Sequence, residues 1–172
     1  MARWLRDIVA ALLVALAGAP VAAQVAGAPA GMPGMETHRV AEPVFNGQIA
    51  VYEAGRSKAR SIVLVHGIGA DGARDYSEQV AWLRDSFHVV ALDLPGFGQS
   101  DKPDALYTPA SYTAVLKHVT DRFVKRPFAL VGHSLGGLVA LRYAAAYPAD
   151  VERLVVMSVP VGALTRMTLV AR

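Results

Sequence analysis

The 172-residue chain contains no cysteine, so no disulfide supports the fold and stability must come from packing alone. Its five histidines, His38, His66, His88, His118 and His133, stand far apart and have no cysteine partners. No metal-ligand spacing is therefore present. No Lys/Arg cluster appears, no basic stretch is interleaved with aromatics, and the net charge is only +3. That argues against a nucleic-acid partner. The isoelectric point near 9.4 does not change this reading, because Arg3 and Arg6 sit at the N-terminus and the other bases are scattered among acids. No internal repeat is visible and no cofactor motif is found. No apolar run is long enough to cross a bilayer comfortably.

The hydrophobic fraction of 53% is ample for a core, but part of it lies in the first two dozen residues. Arg3 and Arg6 make a short positive stretch, and Ile8 to Ala19 is an uninterrupted apolar run. Val21-Ala22-Ala23 supplies the small residues that a signal peptidase needs. Residues 1–23 are expected to be a signal peptide cleaved after Ala23, which makes the protein exported, either periplasmic or secreted. Pro20 and the Gly/Ala/Pro stretch after it argue against a buried N-terminal helix. Residues 24–39 are expected to be a flexible linker, with Gln24 to about Met35 lacking any apolar periodicity. A single core is expected over residues 40–172.

A β-hairpin is predicted with strands at Val40–Phe45 and Gln48–Glu53, joined at Asn46-Gly47, the dipeptide best suited to a two-residue turn. The pattern then changes. Ser61–Val65, His88–Leu92, Phe128–Val131 and Arg153–Met157 are short apolar runs. They alternate with helical stretches at Tyr76–Leu83, Ser111–Val124 and Leu135–Ala146. Strands apolar throughout, alternating with helices, predict an α/β fold with a mostly parallel sheet covered on both faces.

The strongest chemical signal is Phe128-Ala-Leu-Val-Gly-His-Ser134-Leu-Gly-Gly137. A buried strand runs directly into Gly-x-Ser-x-Gly, and a helix follows, the setting of a nucleophile elbow. So tight a turn strains the serine and projects its hydroxyl above the sheet edge. Side chains at Gly132 and Gly136 would collide with neighbouring backbone. The helix beginning at Leu135 presents its positive end to an oxygen that acquires charge. Ser134 is the expected nucleophile. His133 adjoins it, but neighbouring side chains on so sharp a turn point apart, so a packing role is expected rather than a dyad.

The second signal is Val63-Leu-Val-His66-Gly67-Ile68-Gly69, a strand ending in a His-Gly turn. In acyl-transfer enzymes of this architecture such a loop supplies one backbone N–H of an oxyanion hole, and the residue after the nucleophile supplies the other. Those donors are expected at Ile68, with Gly69 as the fallback, and at Leu135. His66 is expected to shape the loop by hydrogen bonding rather than to catalyse. Gly67 lets the backbone approach the substrate without a Cβ in the way.

Together, His66-Gly67, Asp93-Leu-Pro-Gly-Phe-Gly-Gln-Ser100 and Gly132-His-Ser-Leu-Gly-Gly137 resemble the α/β-hydrolase superfamily. The likeness is to its branch of esterases, C–C bond hydrolases, proline iminopeptidases and cofactor-free haloperoxidases, and it runs from about Val40 to Val159. It implies the α/β-hydrolase fold and acyl-enzyme chemistry on an ester-like small molecule. Asp93 is similar to a residue that organises the loop after the fourth strand, so it is not assigned as a triad acid. Related epoxide hydrolases and haloalkane dehalogenases carry an aspartate at the elbow, and Ser134 argues against both.

The family order is serine, acid, histidine, yet Val159 to Arg172 contains no Asp, Glu or His. The expectation is a fold truncated after the sixth strand, without triad acid, base or lid. Such a chain alone would be feebly active and poorly soluble. Two readings follow: a serine hydrolase of carboxylic esters, or a catalytically incompetent relative that acts by binding. Substrate identity and oligomeric state are not legible.

Overall fold

Six strands form one sheet in the spatial order β1-β2-β4-β3-β5-β6. They are β1 (Glu36–Glu42), β2 (Gly47–Ala54), β3 (Ser61–Val65), β4 (His88–Leu92), β5 (Phe128–His133) and β6 (Val151–Met157). Among the described residues three α-helices connect them: α1 (Ser77–Leu83), α2 (Pro109–Phe123) and α3 (Leu135–Ala146). The computed structural model describes residues 31–159. The expected signal segment, residues 24–30 of the expected linker and residues 160–172 lie outside the described residues. Among the described residues no helix is long and apolar enough to cross a membrane.

Strands β3, β4, β5 and β6 pair in parallel, while β1 and β2 form an antiparallel extension with β2 against β4. This is the mostly parallel sheet that the continuous apolar runs predict. Every residue of β3 and β4 is buried, because alternate side chains enter two different cores. Val63, Val65, Val90 and Leu92 pack with Val115, Leu116, Val139 and Tyr143 of α2 and α3. Ile62, Leu64, Val89 and Ala91 pack on the other face with Val80 and Leu83 of α1. Each large aliphatic side chain so buried contributes about 1.5–3 kcal/mol.

The first hairpin differs from the expectation. Strand β1 begins at Glu36, inside the stretch expected as linker, and ends at Glu42, before Pro43-Val44-Phe45. The buried Glu42 carboxylate explains the shift. It accepts hydrogen bonds from the N–H groups of Val44, Phe45 and Gly47 at 2.7–3.1 Å, so residues 43–46 form a wider turn closed by a side chain. Asn46 still takes the left-handed conformation, with φ +57°.

Helix α2 starts two residues earlier than predicted. Thr108 caps it, Pro109 opens it, and Thr108 and Ser111 exchange side-chain and backbone hydrogen bonds. That arrangement satisfies orphan N–H groups of the first turn. Strand β6 pairs only with β5 among the described strands, and Leu154 and Val156 on it are 36% and 39% exposed. An exposed apolar edge of that kind invites pairing with other chains.

Candidate active site

Strand β5 enters helix α3 through one residue. That residue, Ser134, has φ +50° and ψ −114°, a region that favours glycine and costs other residues about 1–3 kcal/mol. Close packing around the turn holds it there. A Cβ on Gly132 would meet the carbonyl oxygen of Gly136 at 2.3 Å, and a Cβ on Gly136 would meet that of Val65 at 2.2 Å. The Ser134 N–H donates to the Met157 carbonyl at 2.9 Å, which ties the turn to β6. The serine is partly exposed at the carboxyl end of the parallel strands.

Leu135 is the first residue of α3, so helix geometry gives its N–H no intrahelical acceptor. The loop after β3 lies against the elbow. A Cβ on Gly67 would sit 3.1 Å from the Ser134 Cβ and 2.8 Å from His133 Nδ1. Ile68 follows in the same loop and is 77% exposed. Gly69 has room for a side chain, its Cβ position being 3.6 Å from an Asp75 carboxylate oxygen. The structure thus gathers Ser134, Leu135 and the Gly67–Gly69 loop at one sheet edge.

His133 turns its ring towards Gly67. His66 is fully buried and both its nitrogens are engaged. The Leu94 N–H donates to Nε2 at 2.9 Å, so Nδ1 carries the proton and donates to the Gly67 carbonyl at 2.6 Å. Burial holds this imidazole below the usual histidine range, against the opposing pull of that carbonyl and of Asp93 and Asp75. His66 therefore shapes the loop between β3 and the segment after β4, and Phe97 packs edge-on against its ring.

Asp93 is buried and organises the loop that follows β4. Its carboxylate accepts from the N–H groups of Ala73 and Gln99 and from the Tyr52 hydroxyl, each at 2.7 Å. Its own carbonyl accepts from the Ser100 hydroxyl at 2.6 Å. Gly72 and Gly98, both at positive φ, press their backbones on the carboxylate. Burial, reinforced by the Asp93 charge, pushes the Tyr52 phenol well above its ordinary value. Asp93 and His66 are thus committed to scaffolding.

One acid near the site carries no sequence signal. Asp75 lies in a 3₁₀ turn (Gly72–Tyr76) beside Gly69. Burial raises its carboxyl above the ordinary range, helped by Asp71 and Asp93 and opposed by His66 and His133. Nothing in the spacing marks it, because only the fold brings the turn to the loop after β3.

A family model described as alpha/beta hydrolase fold matches residues 60–171. An uncharacterised protein of Mycobacterium tuberculosis is 41% identical over 98 residues, 57% of this chain and 28% of that protein. Lipase 1 of Psychrobacter immobilis is 33% identical over 112 residues, 63% of this chain and 35% of the lipase. The crystal structure of a bacterial membrane phospholipase A superposes with a TM-score of 0.63 at 35% identity, covering 74% of this chain and 40% of that one. The chain therefore spans less than half the length of each.

Proposed function

The chain belongs to the alpha/beta hydrolase fold family, and on that premise we propose that the protein is an exported serine hydrolase cleaving a carboxylic ester through an acyl-enzyme on Ser134. The Ser134 Oγ attacks the ester carbonyl, the oxyanion is held by the N–H groups of Leu135 and Ile68, the acyl C–O bond breaks and the alcohol departs with the serine proton, and water then releases the acyl group as the carboxylic acid. Gly69 is the fallback donor for Ile68. The observation that carries this reading is the conformation of Ser134, φ +50° at the mouth of a helix. Strain of that kind persists where surrounding packing imposes it, and it clusters at reactive sites.

The ester preference draws on the likeness to a lipase and a phospholipase. The base and the orienting acid are assigned to the part of the family's length that this chain does not span. Export rests on Arg3, Arg6 and the Ile8–Ala19 run, and Gln24 as the N-terminal residue of the secreted form would test it.

The test is p-nitrophenyl ester hydrolysis by the full gene product, with Ser134→Ala beside it. The variant is expected to fall to the residual 10³–10⁴-fold over water that binding and an oxyanion hole provide, roughly as for other triad losses. Undiminished turnover would refute the assignment. Binding without catalysis is the alternative outcome of this test. Ester binding with no labelling of Ser134 by a fluorophosphonate would favour it.

A further inference from the structure

Far from Ser134, at the opposite edge of the sheet, strand register collects carboxylates and imidazoles from β1, β2 and β4. Glu36 and His38 are two residues apart on β1 and share a face. Glu36 pairs directly with Glu53 of β2, and Glu53 pairs with Val90 of β4. His88 lies two residues from Val90, so it shares that face as well. The His38 Nε2 is 3.0 Å from Glu53 Oε2 and 3.8 Å from Glu36 Oε1. One ligand atom from each of Glu36, His38 and Glu53 lies within 4.8 Å of the others.

We propose that Glu36, His38 and Glu53 bind a borderline divalent cation, zinc above all, with His88 as a positioning residue. The spacing fits. Two ligands at about 2.1 Å on a tetrahedral zinc stand about 3.4 Å apart, between the two separations above. An imidazole with two carboxylates suits such an ion, and the exposed Glu36 side leaves room for water as fourth ligand.

Glu53 is itself held in place by neighbouring side chains. The buried His88 Nε2 hydrogen-bonds Glu53 Oε1 at 2.7 Å, and the Ser61 hydroxyl lies 3.2 Å from His88 Nδ1. That chain fixes the other oxygen of Glu53, as partners of metal-bound groups do.

The register also places two like charges face to face, Glu36 opposite Glu53, an arrangement that weakens an antiparallel pair. Without metal, Arg56 offsets it by hydrogen-bonding both Glu53 oxygens. The Arg56 side chain is 66% exposed, so it can move to water as a cation takes its place. A bound ion would pin β1 to β2. No metal spacing is visible in the sequence because these donors meet only through strand register.

The test uses the untagged full chain, stripped with a chelator and titrated with zinc by calorimetry and with cobalt(II) by absorption. Outside the described residues, residues 1–30 and 160–172 hold no His or Cys and only Asp7 as an acid, so stoichiometry is interpretable. One equivalent is expected, with a tetrahedral cobalt spectrum and a higher thermal midpoint on adding zinc. His38→Asn and Glu36→Gln, neither fully buried, should keep the far-ultraviolet spectrum and abolish the thermal gain. His38→Asn should weaken binding more than about 100-fold, beyond the 10–100-fold cost of losing an outer partner. His88→Gln should stay within that range and keep the tetrahedral spectrum, and loss of that spectrum would overturn its positioning role. The site is refuted if zinc does not saturate the chain below millimolar concentration, or if His38→Asn binds as tightly as the parent.

Discussion

Gly136 is packed so tightly on Val65 that a Cβ there would lie 2.2 Å from the Val65 carbonyl oxygen. This contact joins the first turn of α3 to the end of β3, and with it the Ser134 turn to the loop carrying Ile68. The obstacle is backbone, which cannot swing aside as a side-chain tip would. Gly136→Ala should therefore cost at least about 3 kcal/mol, the upper end of overpacking penalties, or prevent folding. Gly69→Ala, whose Cβ meets only ordinary contact at 3.6 Å, should cost less than about 1 kcal/mol. Urea denaturation of the two variants checks the contrast, and equal costs would contradict it.

Ser134 gives a second prediction, separable from chemistry. Glycine tolerates φ +50° where alanine does not, so Ser134→Gly should be more stable than Ser134→Ala by about 1–3 kcal/mol. Both lack the hydroxyl, so both should fall to the same residual ester activity. Thermal or urea unfolding of the pair reads the strain directly. If alanine proves equal to glycine, the turn is not strained in the way its dihedral angles imply.

The strand, turn and helix around Ser134 are legible because their signal is local: a buried strand, two tightly packed glycines and a helix, all within ten consecutive residues. The same holds for β3, β4 and α3, whose predicted bounds match the structure. The hairpin was less legible. Asn46-Gly47 marks a turn, but the carboxylate that closes it belongs to Glu42, which reads in sequence as an ordinary strand residue. The start of α2 was missed because its capping box has Ser111 where glutamate or glutamine is the usual signal. Asp75 and the Glu36–His38–Glu53 group were invisible for a deeper reason, since each is assembled by contacts between elements and no spacing encodes them.

Asp93 carries a third prediction. Its carboxylate satisfies three donors, the Ala73 and Gln99 N–H groups and the Tyr52 hydroxyl. Truncation to alanine would strand all of them, two in the buried interior, at about 1–3 kcal/mol each. Asp93→Ala should therefore cost more than about 3 kcal/mol, while Tyr52→Phe, which removes one hydrogen bond to a charged group, should cost about 1.5–3 kcal/mol. In a double-mutant cycle the two should couple favourably, because they share one hydrogen bond. Additive costs would separate Tyr52 from the Asp93 network.

His66 makes a prediction about pH whose sign follows from its surroundings. Burial lowers its folded pKa below the ordinary value of 6.5, so above that value neither the folded nor the unfolded chain holds an extra proton there. As pH falls through 6.5 the unfolded imidazole takes up a proton that the folded one refuses. Stability is thus complete above that pH and is lost as pH drops towards the folded pKa, by at most about 1.4 kcal/mol per pH unit for one group. Nitrogen NMR gives the sharper reading. The His66 ring should appear neutral with its proton on Nδ1, because Nε2 accepts from Leu94, and should titrate below pH 6.5. A His66 midpoint at or above 6.5 would mean that the ring is solvated and charged. The loop carrying Gly67 and Ile68 would then need another explanation for its shape.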